Sequence, residues 1–141
     1  MSYPHDSSYT WAFPRLPVVI YAIAESAKTE TLTAEIDTGA DMTLVPLSHL
    51  QYIQAEEIYS AHLRGHWGNA YPVNIYFVDL EIEGQRFPGI EVIGDPHGAT
   101  VLLGRNILNR LNLLIAGPEE CTALVSPTAT ARLLRDTAHG K

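Results

Sequence analysis

The sequence predicts an all-β domain of the barrel or sandwich type. Many short segments are rich in β-branched and aromatic residues, turn residues separate them at close spacing, and only one segment is a strong helix candidate. The chain has 141 residues, which is the size of one domain, and it shows no internal repeat.

Strand patterns and turns follow one another along the chain. Residues 31–37 are the clearest strand, because Leu32, Ala34 and Ile36 point one way and polar residues between them point the other. The segment 86–93 contains Pro88, which favours an edge position. We predict a helical turn at 47–53, a helix at 105–111, and strands at 17–24, 31–37, 42–45, 57–66, 70–82, 86–93, 100–103, 112–115 and 121–125.

The composition excludes several classes of protein. Hydrophobic residues make up 46% and charged residues 18%, which is typical of a folded chain and not of a disordered one. The net charge of −7 argues against nucleic acid as a partner, because phosphate binding needs a basic face. The single Cys121 excludes an internal disulfide framework, and its apolar neighbours favour a small buried residue over a nucleophile.

No apolar run is long enough for a membrane span, and the first ten residues lack a secretory signal pattern. We therefore expect a soluble, cytoplasmic protein with no membrane partner. We predict three segments: a polar N-terminal segment at 1–13, the folded domain at 14–125, and a mobile C-terminal tail with a weak helical pattern at 126–141.

Two short motifs are candidates for chemistry. Asp37, Thr38 and Gly39 stand at the end of the strand 31–37, and the glycine lets the chain turn sharply so that backbone N–H groups approach the carboxylate. Further along, the segment 101–108 (VLLGRNIL) has apolar residues and a glycine leading into the predicted helix. For Asp37 alone, an ordinary Asx-type turn between two strands is the alternative.

The two motifs together resemble the retropepsin family, the single-domain aspartic proteases of retroviruses and their relatives. The resemblance covers about residues 14–125. It implies a closed, barrel-like acid protease fold with one short C-terminal helix, a flap hairpin formed by 57–66 and 70–82, and a homodimer. The matching residues are Asp37-Thr38-Gly39-Ala40-Asp41, Thr43-Leu44-Val45 and Leu102-Leu103-Gly104-Arg105-Asn106.

The resemblance also implies a mechanism. Aspartic proteases hydrolyse peptide bonds with two carboxylates that share one proton. Only one Asp-Thr-Gly occurs in the 141 residues, so each chain would supply half of the site, and a symmetric dimer would bring two copies of Asp37 together. The substrate would be an extended peptide or an unstructured protein, and no metal or organic cofactor is implied. We expect the hairpin 112–125 to build the dimer sheet.

Individual roles follow from the same resemblance. Arg105 is expected to brace the carboxylate of Asp41, although a surface ion pair of little energy is the alternative. Arg15 is expected to reach the partner's active-site loop. An aromatic side chain near the flap tip, Trp67, could cover the substrate or simply pack on the neighbouring strand. The predicted catalytic residues are Asp37, Thr38 and Gly39, the substrate-binding residues Ala40, Asp41, Trp67 and Gly68, and the supporting residues Arg15, Leu103, Gly104 and Arg105.

Two other functions remain open. His62 and His66 stand four residues apart, a spacing that suits a metal on a helix, but Gly65 and Gly68 and strand-like flanks argue against a helix there. The second alternative is a retropepsin-like, dimerising peptide-binding module with little or no hydrolysis. The intact Asp37 motif argues against it, because a binding module does not need a carboxylate pair.

Overall fold

The computed structural model describes residues 1–64 and 68–139. Its strands are β1 (Ser2–Pro4), β2 (Arg15–Ala22), β3 (Leu32–Ile36), β4 (Thr43–Pro46), β5 (Glu56–Arg64), β6 (Ala70–Ile82), β7 (Gln85–Asp95), β8 (Val101–Leu103), β9 (Leu113–Ala116) and β10 (Cys121–Leu124). Its helices are α1 (Leu47–Tyr52), α2 (Arg105–Leu108) and α3 (Pro127–His139).

Six strands form a closed barrel, which confirms the predicted fold class. They follow the order β2-β3-β8-β4-β7-β6, and pairing of β2 with β6 closes the ring. β5 lies outside β6 in the sheet, and the two strands form a long hairpin of which β5 is the first strand. β3 and β8 run parallel, so that their carboxyl ends lie side by side and the two motifs that follow these strands meet at one end of the barrel.

The barrel interior is the main hydrophobic core. β2 shows how the sequence builds it: Leu16, Val18, Ile20 and Ala22 are buried, and the residues between them are half-buried on the outer face. Side chains from β6, β8 and the two short helices complete the interior, among them Leu50, Val78, Leu80, Leu103 and Ile107.

An ion pair between the buried Asp79 and the partly exposed Arg86 connects β6, β7 and the turn after β2. Asp79 accepts hydrogen bonds from Arg86 Nε at 2.9 Å, from the Gly89 backbone N–H at 2.9 Å and from the Ala24 backbone N–H at 3.2 Å. Burial alone would raise the pKa of Asp79, but these hydrogen bonds and the Arg86 charge outweigh it and lower the pKa below its ordinary value. Arg86 also donates to the backbone oxygen of Glu25, so the pair anchors the turn after β2.

A separate three-stranded sheet has the order β1-β10-β9. β9 and β10 form the hairpin predicted at 112–125. β1 pairs with β10 of the same chain, and His5 extends this contact through its backbone N–H to Glu120 O at 2.8 Å and its Nε2 to Thr122 Oγ1 at 3.0 Å. Cys121 is half-buried in β10 with a free thiol. The proposed use of this hairpin in a dimer stays a prediction.

Two elements differ from expectation. β7 is an inner strand and not an edge strand, since residues 92–95 pair with β4 on one side while residues 85–87 and 90–94 pair with β6 on the other. Pro88 is tolerated because residues 85–91 pair only with β6, and the register shifts opposite the proline. Residues 127–139, in the predicted tail, form α3, which begins at Pro127. Ser126 caps this helix, because its Oγ accepts a hydrogen bond from the Ala129 N–H at 3.1 Å. The division into 1–13, 14–125 and 126–141 stays a prediction.

Candidate active site

Asp37 directly follows β3 and begins a tight loop. Its backbone N–H donates to Leu103 O at 3.0 Å, which extends the β3–β8 pairing by one residue. Its Oδ1 accepts the Gly39 N–H at 3.0 Å, and its carbonyl oxygen accepts the Ala40 N–H at 3.2 Å. The Asp37 residue is half-buried, whereas Thr38 and Gly39 are exposed, so the loop presents its carboxylate at the surface of one chain.

The start of α2 holds this loop in place. Backbone N–H groups of Arg105 and Asn106 donate to the carbonyl oxygens of Ala40 at 2.8 Å and Asp41 at 3.2 Å. The Arg105 side chain adds a hydrogen bond from Nη1 to Thr38 O at 2.8 Å. Three contacts from two consecutive residues of α2 therefore fix the loop that begins at Asp37.

Arg105 supports the loop in a different way from the one expected. Its guanidinium binds the Thr38 carbonyl oxygen, and among the described residues no ion pair joins it to Asp41. This contact restrains the main chain next to Asp37 directly. An ion pair with the exposed Asp41 carboxylate would restrain only a side chain.

Thr43 and Asn106 connect the two motifs and were not assigned a role from the sequence. Thr43 is fully buried; its backbone N–H and its Oγ1 both donate to Asn106 Oδ1, at 3.0 Å and 2.8 Å. Thr43 Oγ1 in turn accepts the Gly104 N–H at 3.1 Å, and Asn106 Nδ2 donates to Glu91 O at 2.7 Å. The sequence did offer a signal for this role, because Thr43 is a polar residue among the apolar residues of β4. A buried hydroxyl needs hydrogen-bond partners.

The structure places the remaining supporting residues as follows. Leu103 is fully buried in the barrel core, and Gly104 precedes α2 in extended conformation. Arg15 contacts its own N-terminal segment, with Nε donating to Pro4 O at 3.0 Å and Nη1 3.8 Å from Asp6 Oδ2. In the single chain Arg15 therefore holds residues 1–13 onto the barrel.

The β5–β6 hairpin provides a second, apolar surface near the loop. Val73, Ile75 and Ile93 form a small buried cluster outside the main core. Partly buried side chains extend it, beginning with Met42, which follows Asp41 directly; the others are Leu44, Ile58, Ala61 and Leu63. Gly68 near the hairpin end has φ +81°, a left-handed backbone that glycine adopts without strain.

Some predicted site residues lie outside the described part of the chain. Trp67 and His66 are among them, so their roles stay predictions. His62 is described and lies in β5, paired with Pro72, so the helical geometry that would suit a His62–His66 metal pair does not extend to it. Within residues 1–64 and 68–139 no group of three potential metal ligands is present. None of the helices in these ranges is long and apolar enough to cross a bilayer.

Solved structures with similar architecture are known. The EIAV protease in complex with the inhibitor HBY-793 aligns with a TM-score of 0.55 at 21% identity, over 72% of this chain and 91% of the protease. A foamy viral protease–reverse transcriptase in complex with an RNA/DNA hybrid gives 0.51 at 19% identity, over 70% of this chain and 12% of that protein. A retropepsin-like aspartic protease from Rickettsia conorii gives 0.50 at 17% identity, over 82% and 95%.

No protein-family model and no curated protein matches the sequence. The structural likenesses show the fold: this chain has the fold of the retropepsin-like aspartic proteases. In this fold Asp37 lies in the loop between β3 and β4.

Proposed function

We propose that this chain is an aspartic endopeptidase that acts as a homodimer, with one Asp37 from each protomer. The observation that carries the proposal is the loop at Asp37. Its half-buried carboxylate accepts the Gly39 N–H at 3.0 Å, and α2 holds the loop through Thr38 O, Ala40 O and Asp41 O. Such fixed geometry is what a reacting group needs, because catalysis depends on preorganisation.

The chemistry needs both carboxylates. Two carboxylates at hydrogen-bond distance do not both ionise, so the pair retains one proton. The ionised Asp37 takes a proton from water as the water oxygen bonds to the peptide carbonyl carbon. The protonated Asp37 gives its proton to the carbonyl oxygen, forming a neutral tetrahedral diol. The carboxyl that took the water proton then gives it to the nitrogen, while the other, now ionised, carboxylate takes a proton from one diol hydroxyl. The C–N bond breaks, an amine and a carboxylic acid are released, and the pair again holds one proton.

The surroundings of the loop support an extended, apolar substrate. The hairpin cluster begins at Met42 and continues through Leu44 to side chains of β5, all of them only partly buried. Apolar substrate side chains would complete the burial of these residues, while the peptide backbone pairs with nearby strands as an added strand does.

The test is cleavage of an unstructured protein at high enzyme concentration, from about pH 4 to about pH 7, a range chosen to include a shared-proton carboxylate pair. Wild type is compared with Asp37→Asn, which keeps the shape of the side chain, and with Asp136→Asn, a control on the exposed face of α3. We expect cleavage by wild type and by the control, unaffected by chelators, and none by Asp37→Asn. Equal cleavage by all three proteins would reject Asp37 as the catalytic residue.

Mixing experiments test whether the site is shared between protomers. If both carboxylates are required, mixed dimers of wild type and Asp37→Asn are inactive, and specific activity falls as the square of the wild-type fraction. A linear decrease would mean that each protomer contributes activity independently of its partner, so that the site is not shared. Absence of cleavage by a protein shown to dimerise would instead favour the peptide-binding module.

A further inference from the structure

Glu35 is a buried carboxylate on the same face of β3 as Asp37. Ala34 and Ile36 point into the barrel core, so the alternation of the strand places Glu35 on the opposite face. Asp37 continues the β3–β8 pairing through its N–H to Leu103 O, so it follows Glu35 on that face, with the two α-carbons about 7 Å apart. Residues on the outside of a barrel are usually exposed, whereas Glu35 is only 7% exposed.

A single hydrogen bond compensates for the burial of this carboxylate. Tyr9 Oη donates to Glu35 Oε1 at 2.6 Å, and in the part of the chain that the structure describes no other donor and no ion pair reaches Glu35. Arg15 is the neighbour of Glu35 on β2, but its guanidinium binds Pro4 O and lies beside Asp6. A carboxylate accepts several hydrogen bonds and a buried one normally has them, so Glu35 retains capacity for a further donor.

Tyr9 belongs to a short loop that closes on itself. Asp6 and Phe13 exchange two backbone hydrogen bonds, at 2.8 Å and 3.1 Å. The Tyr9 and Phe13 rings pack with their centroids 5.3 Å apart, and Tyr9 remains 45% exposed. The hydrogen bond to Glu35 raises the pKa of the Tyr9 hydroxyl, which therefore stays a donor at neutral pH. Because the loop is closed by its own bonds, this hydroxyl can leave Glu35 without opening the loop.

A polar cavity of about 280 Å³ adjoins Glu35. Its polar lining consists of Asp6, Arg15, Thr33, Glu35 and Thr100. Arg15 and Asp6 offset each other, so Glu35 is the remaining charged acceptor in the wall. The volume lies below the roughly 300–1,000 Å³ of pockets that enclose a whole small ligand, so the cavity suits one side chain of a longer molecule. Its polar character distinguishes it from the apolar hairpin cluster on the other side of the Asp37 loop.

We propose that Glu35 determines specificity by accepting a hydrogen bond from the hydroxyl group of a substrate tyrosine. Tyr9 takes this position in the free chain and so competes with the substrate. The inference rests on the proposed function, because a side chain bound at Glu35 belongs to a peptide that passes directly beside Asp37. A phenol suits the position better than a basic side chain, because the occupant seen there is a phenol and because the neighbouring Arg15 repels a cation.

The test measures peptide binding by fluorescence anisotropy, on the full chain carrying Asp37→Asn so that hydrolysis does not enter the measurement. The probes are short labelled peptides of alanine and valine with one central tyrosine, phenylalanine or lysine. We expect the tyrosine peptide to bind about tenfold more tightly than the phenylalanine peptide, because a site that binds a hydroxyl rejects the analogue without it. Adding Glu35→Leu should abolish this difference, whereas the matched control Glu119→Leu, in an exposed turn, should keep it.

A second variant tests the competition by Tyr9. Tyr9→Phe removes the hydroxyl that occupies Glu35, so more of the free chain has an open position and the tyrosine peptide should bind about threefold more tightly or better. If Tyr9 has only a structural role, the same variant binds this peptide equally or more weakly, and the inference is wrong. Tyr52→Phe is the matched control, because Tyr52 is a 76% exposed tyrosine of α1.

The outcomes separate this inference from the proposed function. Equal binding of the tyrosine and phenylalanine peptides, or binding of neither, overturns the inference, while cleavage by wild type would leave the proposed function standing. Tighter binding of the lysine peptide overturns it as well, in favour of a position for cations. A preference for tyrosine that depends on Glu35 supports the inference, even if wild type hydrolyses no peptide.

Discussion

Gly104 lies directly against the backbone of Met42. A β-carbon at residue 104 would stand 2.4 Å from the Met42 carbonyl carbon and 2.5 Å from its oxygen, closer than non-bonded atoms approach. The chain that leaves the Asp37 loop and the chain that enters α2 therefore touch through main-chain atoms. A glycine is required here because of space and not because of its backbone angles, since Gly104 has φ −91°.

Gly104→Ala should separate the two motifs and destabilise the protein. The clashing atoms belong to the Met42 backbone, which cannot move away as the end of a flexible side chain can, so we expect a loss of about 2 kcal/mol or more of unfolding free energy. Urea unfolding measures it. Gly117→Ala is the control, because a β-carbon there meets nothing within 4 Å. Equal stability of the two variants would contradict the close packing.

Thr43→Val should destabilise the protein although it keeps the shape of the side chain. The change removes the hydroxyl that donates to Asn106 Oδ1 and accepts the Gly104 N–H. The Gly104 N–H then loses this partner, and Asn106 Oδ1 keeps only the backbone N–H of residue 43. We expect a cost of about 1–3 kcal/mol in unfolding free energy. Thr43→Ser retains the hydroxyl and should cost less. A serine variant as unstable as the valine variant would show that the methyl group, and not the hydrogen bonds, matters.

Asp79→Asn should remove a pH-dependent part of the stability. Because the folded-state pKa of Asp79 is lowered, the native state gains stability above the ordinary aspartate pKa and loses it as pH falls through the lowered pKa. We expect the variant to be less stable by about 1–3 kcal/mol near neutral pH, since it removes the buried carboxylate that binds two backbone N–H groups and Arg86, whose side chain is 35% exposed. The difference from wild type should shrink in acid. Urea unfolding over a pH series checks this, and a constant difference would contradict it.

Arg105→Lys should lower the proposed peptidase activity more than it lowers stability. The guanidinium donates to Thr38 O at 2.8 Å and so restrains the loop beside Asp37, whereas the ammonium of lysine lacks that planar geometry. We expect about a tenfold lower kcat, equivalent to ~1.4 kcal/mol of lost transition-state stabilisation. Arg132→Lys on exposed α3 is the control. Unchanged kcat in the Arg105 variant would show that the Thr38 contact does not position the loop for catalysis.

Local sequence patterns determined most of the strands. The alternation of buried and half-buried residues in β2 and the two-residue turn at Glu83-Gly84 depend on neighbours in the chain. The Asp37 loop is also determined locally, because the Gly39 N–H donates to the carboxylate of Asp37, only two residues away. α3 was predictable in part, since Ser126 and Pro127 are standard start signals for a helix and residues 126–141 show a weak helical pattern.

Tertiary structure decided how these elements work together. Thr43 and Asn106 are 63 residues apart in sequence, and Arg105 is 67 residues from Thr38, yet these contacts hold the candidate site. The inner position of β7 likewise depends on its pairing with β4. The proline in the sequence of β7 does not predict that pairing. A sequence pattern reports the preferences of neighbouring residues, whereas contacts across a closed barrel arise only when distant strands pair. The sequence therefore determined the strands and the Asp37 motif, and barrel closure decided which side chains support it.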